Sequence, residues 1–131
     1  MTSALQSPTE TLWNRRLRMR LATVNALASA VALIFSGNMA EDASSIVRLG
    51  AQVQFMHSMA SIACATFMNV GAQRARHAPA FLLGGSLLLA VHHYGAAAGL
   101  WGLANGLVGF AAVMMASGWM IIFAAGRNID T

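Results

Sequence analysis

Residues 50–70 read GAQVQFMHSMASIACATFMNV, and the architecture turns on how that stretch is read. At 1.5 Å of rise per residue it is long enough to cross the roughly 30 Å hydrocarbon core of a bilayer as a helix. It is also polar for a span, carrying Gln52, Gln54, His57, Ser58 and Ser61. A helix of that make-up sits in lipid only with its polar side turned to other helices. Read as a span, it predicts a bundle with a polar interior.

The flanking sequence fits the same picture. Upstream, residues 21–37 (LATVNALASAVALIFSG) form an apolar run covering roughly 26 Å as a helix, and the arginines before it can snorkel to close the gap. Between the two runs, NMAEDASSIVR at 38–48 reads as a polar loop with Glu41, Asp42 and Arg48. Downstream, GAQRARHAP makes a basic loop ending in Pro79, a natural first-turn residue for a third helix over 79–100. A fourth follows over 101–125 after the turn GLWG. Gly95, Gly99, Gly102 and Gly106 recur around that turn at spacings of three and four, which lets helix backbones approach closely in lipid.

Composition agrees with a membrane class. The 131 residues are 57% hydrophobic and only 9% charged, against roughly 25% charged in ordinary soluble domains. Such a chain has too little charge to cover a soluble surface. The net charge of +4 comes from eight arginines and no lysine, and half of them crowd into RRLRMR at 15–20. Nucleic-acid binders spread basic residues along a face with aromatics between them, so no nucleic-acid partner is expected. Before that cluster, SPTE at 7–10 has the form of a capping box with proline at the first helical position. Two readings of this basic N-terminal segment, residues 1–20, stand side by side: an amphipathic interfacial helix with Leu12, Trp13 and Leu17 on one side, or a frayed tail.

Charge also orients the chain. Arg15, Arg16, Arg18 and Arg20, then Arg74 and Arg76 in the loop after the second span, and Arg127 near the end all fall on one side of a four-span arrangement. The positive-inside rule makes that side cytoplasmic, with both termini inside. The first run has no convincing cleavage site beyond it, so it is read as a span rather than a removed signal. The expectation is therefore an all-α integral membrane four-helix bundle, residues 21–131, in a bacterial inner membrane and with the lipid bilayer as its first partner.

The chemistry-bearing residues are few. His57 lies about seven residues inside the second run, and His92 and His93 (AVHHYGAAAG, 90–99) about seven residues from the end of the third. Antiparallel neighbours would then bring these imidazoles to one level, suited to axial ligation of a haem b. Adjacent histidines point about 100° apart, so only one of His92 and His93 could ligate. The simpler reading is interhelical hydrogen bonding, with Gln54, Ser58, Ser61, Asn25 and Asn105 as partners. A third is a proton or small-solute path along Gln54, His57 and His93.

Met56 and Met59 flank His57, and Met114 and Met115 are adjacent, which invites a copper reading; methionine is also routine packing material. Cys64, the single cysteine, reads as a small buried hydrophobe. No nucleophile–base set or paired carboxylate falls within the spans, so no enzymatic activity and no metal centre is expected.

VQFMHSMA at 53–60 resembles the aromatic-Gln-x-x-His-x-x-Ala pattern of a small four-span bacterial inner-membrane family of unknown function that has a eukaryotic transmembrane-protein branch. ASGWMII at 116–122 is similar to the Gly-Trp near the end of that family's last helix, and Gly37-Asn38 falls where the family has a glycine-rich turn. Valine stands at position 53 in place of the aromatic, and the family's first-span histidine is absent. The resemblance carries Gln54, His57, Gly118 and Trp119 onto this chain and implies a four-helix fold with no assigned chemistry. The functional expectation is a structural or accessory membrane protein that packs with itself or with a larger membrane complex.

Overall fold

The computed structural model describes residues 15–129, so the capping box at Ser7–Glu10 and the residues Leu12 and Trp13 lie outside it. Four helices run alternately up and down: α1 Arg15–Ser36, α2 Glu41–Asn69, α3 Ala78–Ala97 and α4 Asn105–Ala125. A 3-10 turn, Gln73–His77, leads into α3, and another, Gly126–Asn128, follows α4. There is no strand among the described residues. α2 and α3 form the central antiparallel pair; α1 packs chiefly on α2, and α4 chiefly on α3. The α1–α2 and α3–α4 connections lie at one end, here the hairpin end. The α2–α3 connection and both outer helix termini lie at the other, the arginine end.

α1 continues the basic segment without a break, so Arg15 to Arg20 are the first turns of the span-length helix. α2 differs most from expectation. The polar loop predicted for 38–48 shrinks to residues 37–40, and the helix starts at Glu41. Ala40 offers no capping side chain, so the usual start signal is missing. Glu41 and Asp42 instead occupy the first turn, where carboxylates interact favourably with the exposed amides of a helix N-terminus. At 29 residues α2 is about 44 Å long.

α3 carries Pro79 in its first turn, as expected, but ends three residues early. The stop is a Schellman motif: Gly99, with φ +77°, donates its amide to Ala96 at 3.1 Å, and Leu100 donates to Gly95 at 2.9 Å. The connection to α4 therefore spans 98–104 instead of a four-residue turn, and Trp101 lies in it rather than in a helix.

α1, α3 with its preceding turn, and α4 are long and apolar enough to cross a membrane. α2 falls short of that measure, because its buried stripe (Ser44, Gly50, Gln54, His57, Ser58, Ser61) is polar or small. What lies outside is the reverse. Ile34 is 74% exposed and Phe123 71%, and Leu49, Phe55, Met56 and Met59 of α2 also face outward. Among the fully buried side chains of the described residues only Leu82 exceeds Gln54 in size. The interior is thus smaller and more polar than the surface, the inverse of a soluble fold.

An alanine-rich cluster of Ala60, Cys64, Ala75, Ala78, Leu82 and Ala125 closes the arginine end, and Leu89, Ala111 and Met115 join α3 to α4 higher up. Close approach of α3 and α4 there depends on Gly85 and Gly118, which lie outside the Gly95–Gly106 set marked by spacing. A Cβ on Gly118 would stand 2.6 Å from the Leu82 side chain and 3.2 Å from its backbone nitrogen; one on Gly85 would stand 2.8 Å from the Ala111 carbonyl oxygen. Gly102 and Gly106, read from spacing as packing positions, face open space.

Candidate functional site

Beyond the alanine-rich cluster, where α2 and α3 meet α1, lies a hydrogen-bonded layer centred on Gln54, which is 2% exposed. Its amide donates to Asn25 Oδ1 of α1 at 2.6 Å, and its Oε1 accepts from the Tyr94 hydroxyl of α3 at 2.6 Å. Asn25 Nδ2 passes donors on to Ser58 Oγ at 2.9 Å and Ser86 Oγ at 3.4 Å. Those hydroxyls end on carbonyl oxygens, Ser58 on Gln54 at 2.7 Å and Ser86 on Leu83 at 3.3 Å. Three helices are tied by one directed chain of donors. Among the described residues no fully enclosed side-chain nitrogen or oxygen lacks a partner. Such closure is the condition under which a buried polar network stabilises rather than costs.

The three histidines stand apart from this chain and from one another. His57 Nδ1 lies 2.7 Å from the Val53 carbonyl oxygen, which can only accept, so Nδ1 carries the proton. Its Nε2 is then bare and accepts from Trp119 Nε1 of α4 at 3.3 Å, the rings meeting edge-on with centroids 6.1 Å apart. His93 directs Nδ1 to the Leu89 carbonyl oxygen at 2.9 Å, and no described residue bonds its Nε2. His92 accepts the Ala104 amide on Nε2 at 3.0 Å, while its own carbonyl oxygen accepts from Trp101 Nε1 at 2.8 Å. The Trp101 ring stacks on His92 at 6.4 Å and fills the space where a Cβ on Gly95 would come within 2.0 Å of it. His92 and Trp101 together latch the α3–α4 connection.

The expected coincidence of level is not found. The His93 Cβ would lie 3.1 Å from a Cβ on Gly50, so His93 is level with Gly50. His57 is seven residues further along α2, about 10 Å down the axis. The reason is the early start of α2. His57 lies sixteen residues into its helix while His93 is four from the end of its own, so counting from the apolar runs misplaced both. Haem ligation by His57 would need its Trp119 bond broken. A thioether site around His57 is not assembled either, since Met56 and Met59 face outward while His57 is buried.

Of the expected bonding residues, Asn25, Gln54 and Ser58 form the layer, Ser61 bonds back to the His57 carbonyl oxygen at 2.7 Å, and Asn105 is exposed at the start of α4. Ser86 and Tyr94, both essential to the chain of donors, carry no local sequence signal that names their partners. Trp119 was marked only by the resemblance. Arg18 of α1 donates to the Arg76 carbonyl oxygen, and Arg15, Arg18 and Arg76 line one recess at the arginine end. No family model, curated protein or solved structure matches this chain.

Proposed function

We propose that this chain is a small integral inner-membrane protein of structural or accessory type, inserted as four spans with both termini in the cytoplasm. The observation that carries the reading is the inverted interior: Gln54, Asn25, Ser58, Ser86 and Tyr94 satisfy one another inside, while large apolar side chains face out. In lipid, where every polar group needs a partner, that arrangement is favourable; in water the exposed apolar area would drive aggregation. α2 serves as the fourth span because α1 and α3 cover its polar stripe.

The orientation is supported by charge. Seven of the eight arginines belong to the arginine end, and Glu41 and Asp42 to the other. A packing role is supported by the four residues of the family resemblance. Gln54 bonds α1 and α3, His57 bonds Trp119, and Gly118 receives Leu82, so each ties its helix to at least one other. The outward face of α4 supplies apolar surface for a second copy or a larger membrane complex.

Two measurements test the proposal. Resistance to carbonate extraction, with a reporter fused after residue 131 active only in its cytoplasmic form, is the expected result; extraction into the soluble fraction or a periplasmic C-terminus would overturn it. Native mass spectrometry in mild detergent then reads the assembly, and a strictly monomeric chain that co-purifies with nothing removes the packing role.

A further inference from the structure

The groove between α1 and α3 has a volume of about 450 Å³ and is walled by Leu21, Val24, Ala28, Leu83 and Leu87, with Asn25 and Gln54 at its floor. It is apolar along its length and runs about 10 Å from Ala80 to Leu87. The end of the groove at Leu21 and Ala80 lies about one turn from a separate cationic recess, which shares none of its lining residues. Arg18 lies one turn before Leu21, and Arg76 one turn before Ala80, and the Arg18 guanidinium donates to the Arg76 carbonyl oxygen, tying the two elements where the groove begins. Arg15 lines the same recess as Arg18 and Arg76, and Arg20 is exposed beside Leu21. Among the described residues no carboxylate belongs to this end of the bundle.

An apolar trough whose end lies about one turn from a cluster of guanidiniums is complementary to one kind of molecule, an amphiphile with an anionic head. Guanidinium groups pair with phosphate oxygens through parallel N–H donors, and basic pockets between helices on the cytoplasmic face suit anionic headgroups. We propose that this groove holds one anionic phospholipid, its phosphate on the arginines around Arg76 and an acyl chain along Leu21, Val24, Leu83 and Leu87. The inference rests on the membrane reading above and goes beyond it by fixing a site and a headgroup charge.

The test is native mass spectrometry of the full chain in mild detergent, titrated with phosphatidylglycerol or with phosphatidylcholine of the same acyl chains. A single phosphatidylglycerol adduct, several-fold stronger than the phosphatidylcholine one, is expected. Arg76→Gln keeps the carbonyl that Arg18 uses and should weaken the adduct about fivefold. Arg127→Gln, with the same charge change outside the groove, should leave it unchanged. Ala28→Phe, at an exposed position on the groove wall, should abolish the adduct while melting like the parent.

Equal binding of the two lipids, or equal loss in Arg76→Gln and Arg127→Gln, would overturn the proposal in favour of unselective annular lipid or a diffuse charge effect. Loss of a dimer in Ala28→Phe would assign the groove to a second copy and overturn it as well. A chain that extracts from the membrane with carbonate fails the underlying reading instead, so the two failures are told apart.

Discussion

Replacing Gln54 by leucine, close to it in volume, removes the centre of the polar layer and little else. Two interhelical bonds are lost, to Asn25 and to Tyr94. Side-chain hydrogen bonds between membrane helices average about 0.6 kcal/mol, so the pair accounts for about 1.2 kcal/mol. Asn25 Oδ1 is then left buried without its donor, which adds about 1 kcal/mol at the lower end of the usual range. The half-buried Tyr94 hydroxyl can turn to another acceptor and adds little. Gln54→Leu should therefore destabilise the bundle by about 2 kcal/mol.

Tyr94→Phe should cost about 1.6 kcal/mol, the lost bond plus a buried Gln54 Oε1 left without its donor, and the double variant should fall short of additivity by about that amount, because neither cost exists once Gln54 is leucine. The assay is reversible unfolding from mild detergent into denaturing detergent followed by tryptophan fluorescence. Gln52→Leu, at an exposed position of the same helix, is the control and should change stability by less than about 0.5 kcal/mol. A neutral Gln54→Leu, or fully additive costs with Tyr94→Phe, would refute the claim that this layer joins α1 and α3 through α2.

Other changes separate the remaining contacts. Gly118→Ala should cost about 1–3 kcal/mol, because the new methyl meets Leu82 at 2.6 Å, whereas Gly106→Ala, facing open space, should be neutral or slightly stabilising in the same assay. His92→Ala removes the acceptor of the Ala104 amide and the ring stacked on Trp101, so hydrogen exchange at Ala104 should quicken by tenfold or more; unchanged exchange would mean that the latch does not hold the connection. Trp119→Phe removes the only side-chain donor given to His57 Nε2 among the described residues, and the His57 ring resonances should move in a nitrogen NMR spectrum while those of His93 stay in place. A reduced-minus-oxidised visible spectrum of protein from haem-replete cells should be flat; a b-type band lost in His93→Ala would place a ligand on Nε2 of His93, which no described residue bonds.

The long apolar runs of α1, α3 and α4 were legible because length and hydropathy act locally, and Pro79 marked its helix start as expected. The start of α2 was hidden by its own charges. Glu41, Asp42 and Arg48 resemble loop composition, yet in the helix the first two lie at the favourable terminus and the third points outward. Polar residues could be named in advance, as Asn25, Gln54 and Ser58 were, but their pairing could not. Which imidazole meets which partner depends on helix register, and register here is set by three contacts, His93 at Gly50, Ala111 at Gly85 and Leu82 at Gly118. None of these is a periodicity. Trp101 was hidden for another reason: an aromatic after Gly99 extends an apolar run on paper, while the left-handed glycine turns the chain back and lays the ring on His92.

The polarity of α2 bears on how such a bundle would be made. If the bundle is inserted as proposed, a helix that falls short of a span's hydropathy enters lipid more readily in company. α1 emerges first and presents Asn25, the acceptor for Gln54 and the donor to Ser58. The α1–α2 hairpin, joined by only four residues, can thus settle as a pair with part of its polar stripe already covered. Tyr94 and Ser86 arrive with α3 and close what is left. On the membrane reading proposed above, the order of the helices along the chain is also the order in which the polar groups find partners, and moving α1 away from α2 in the sequence should hinder insertion of the second helix.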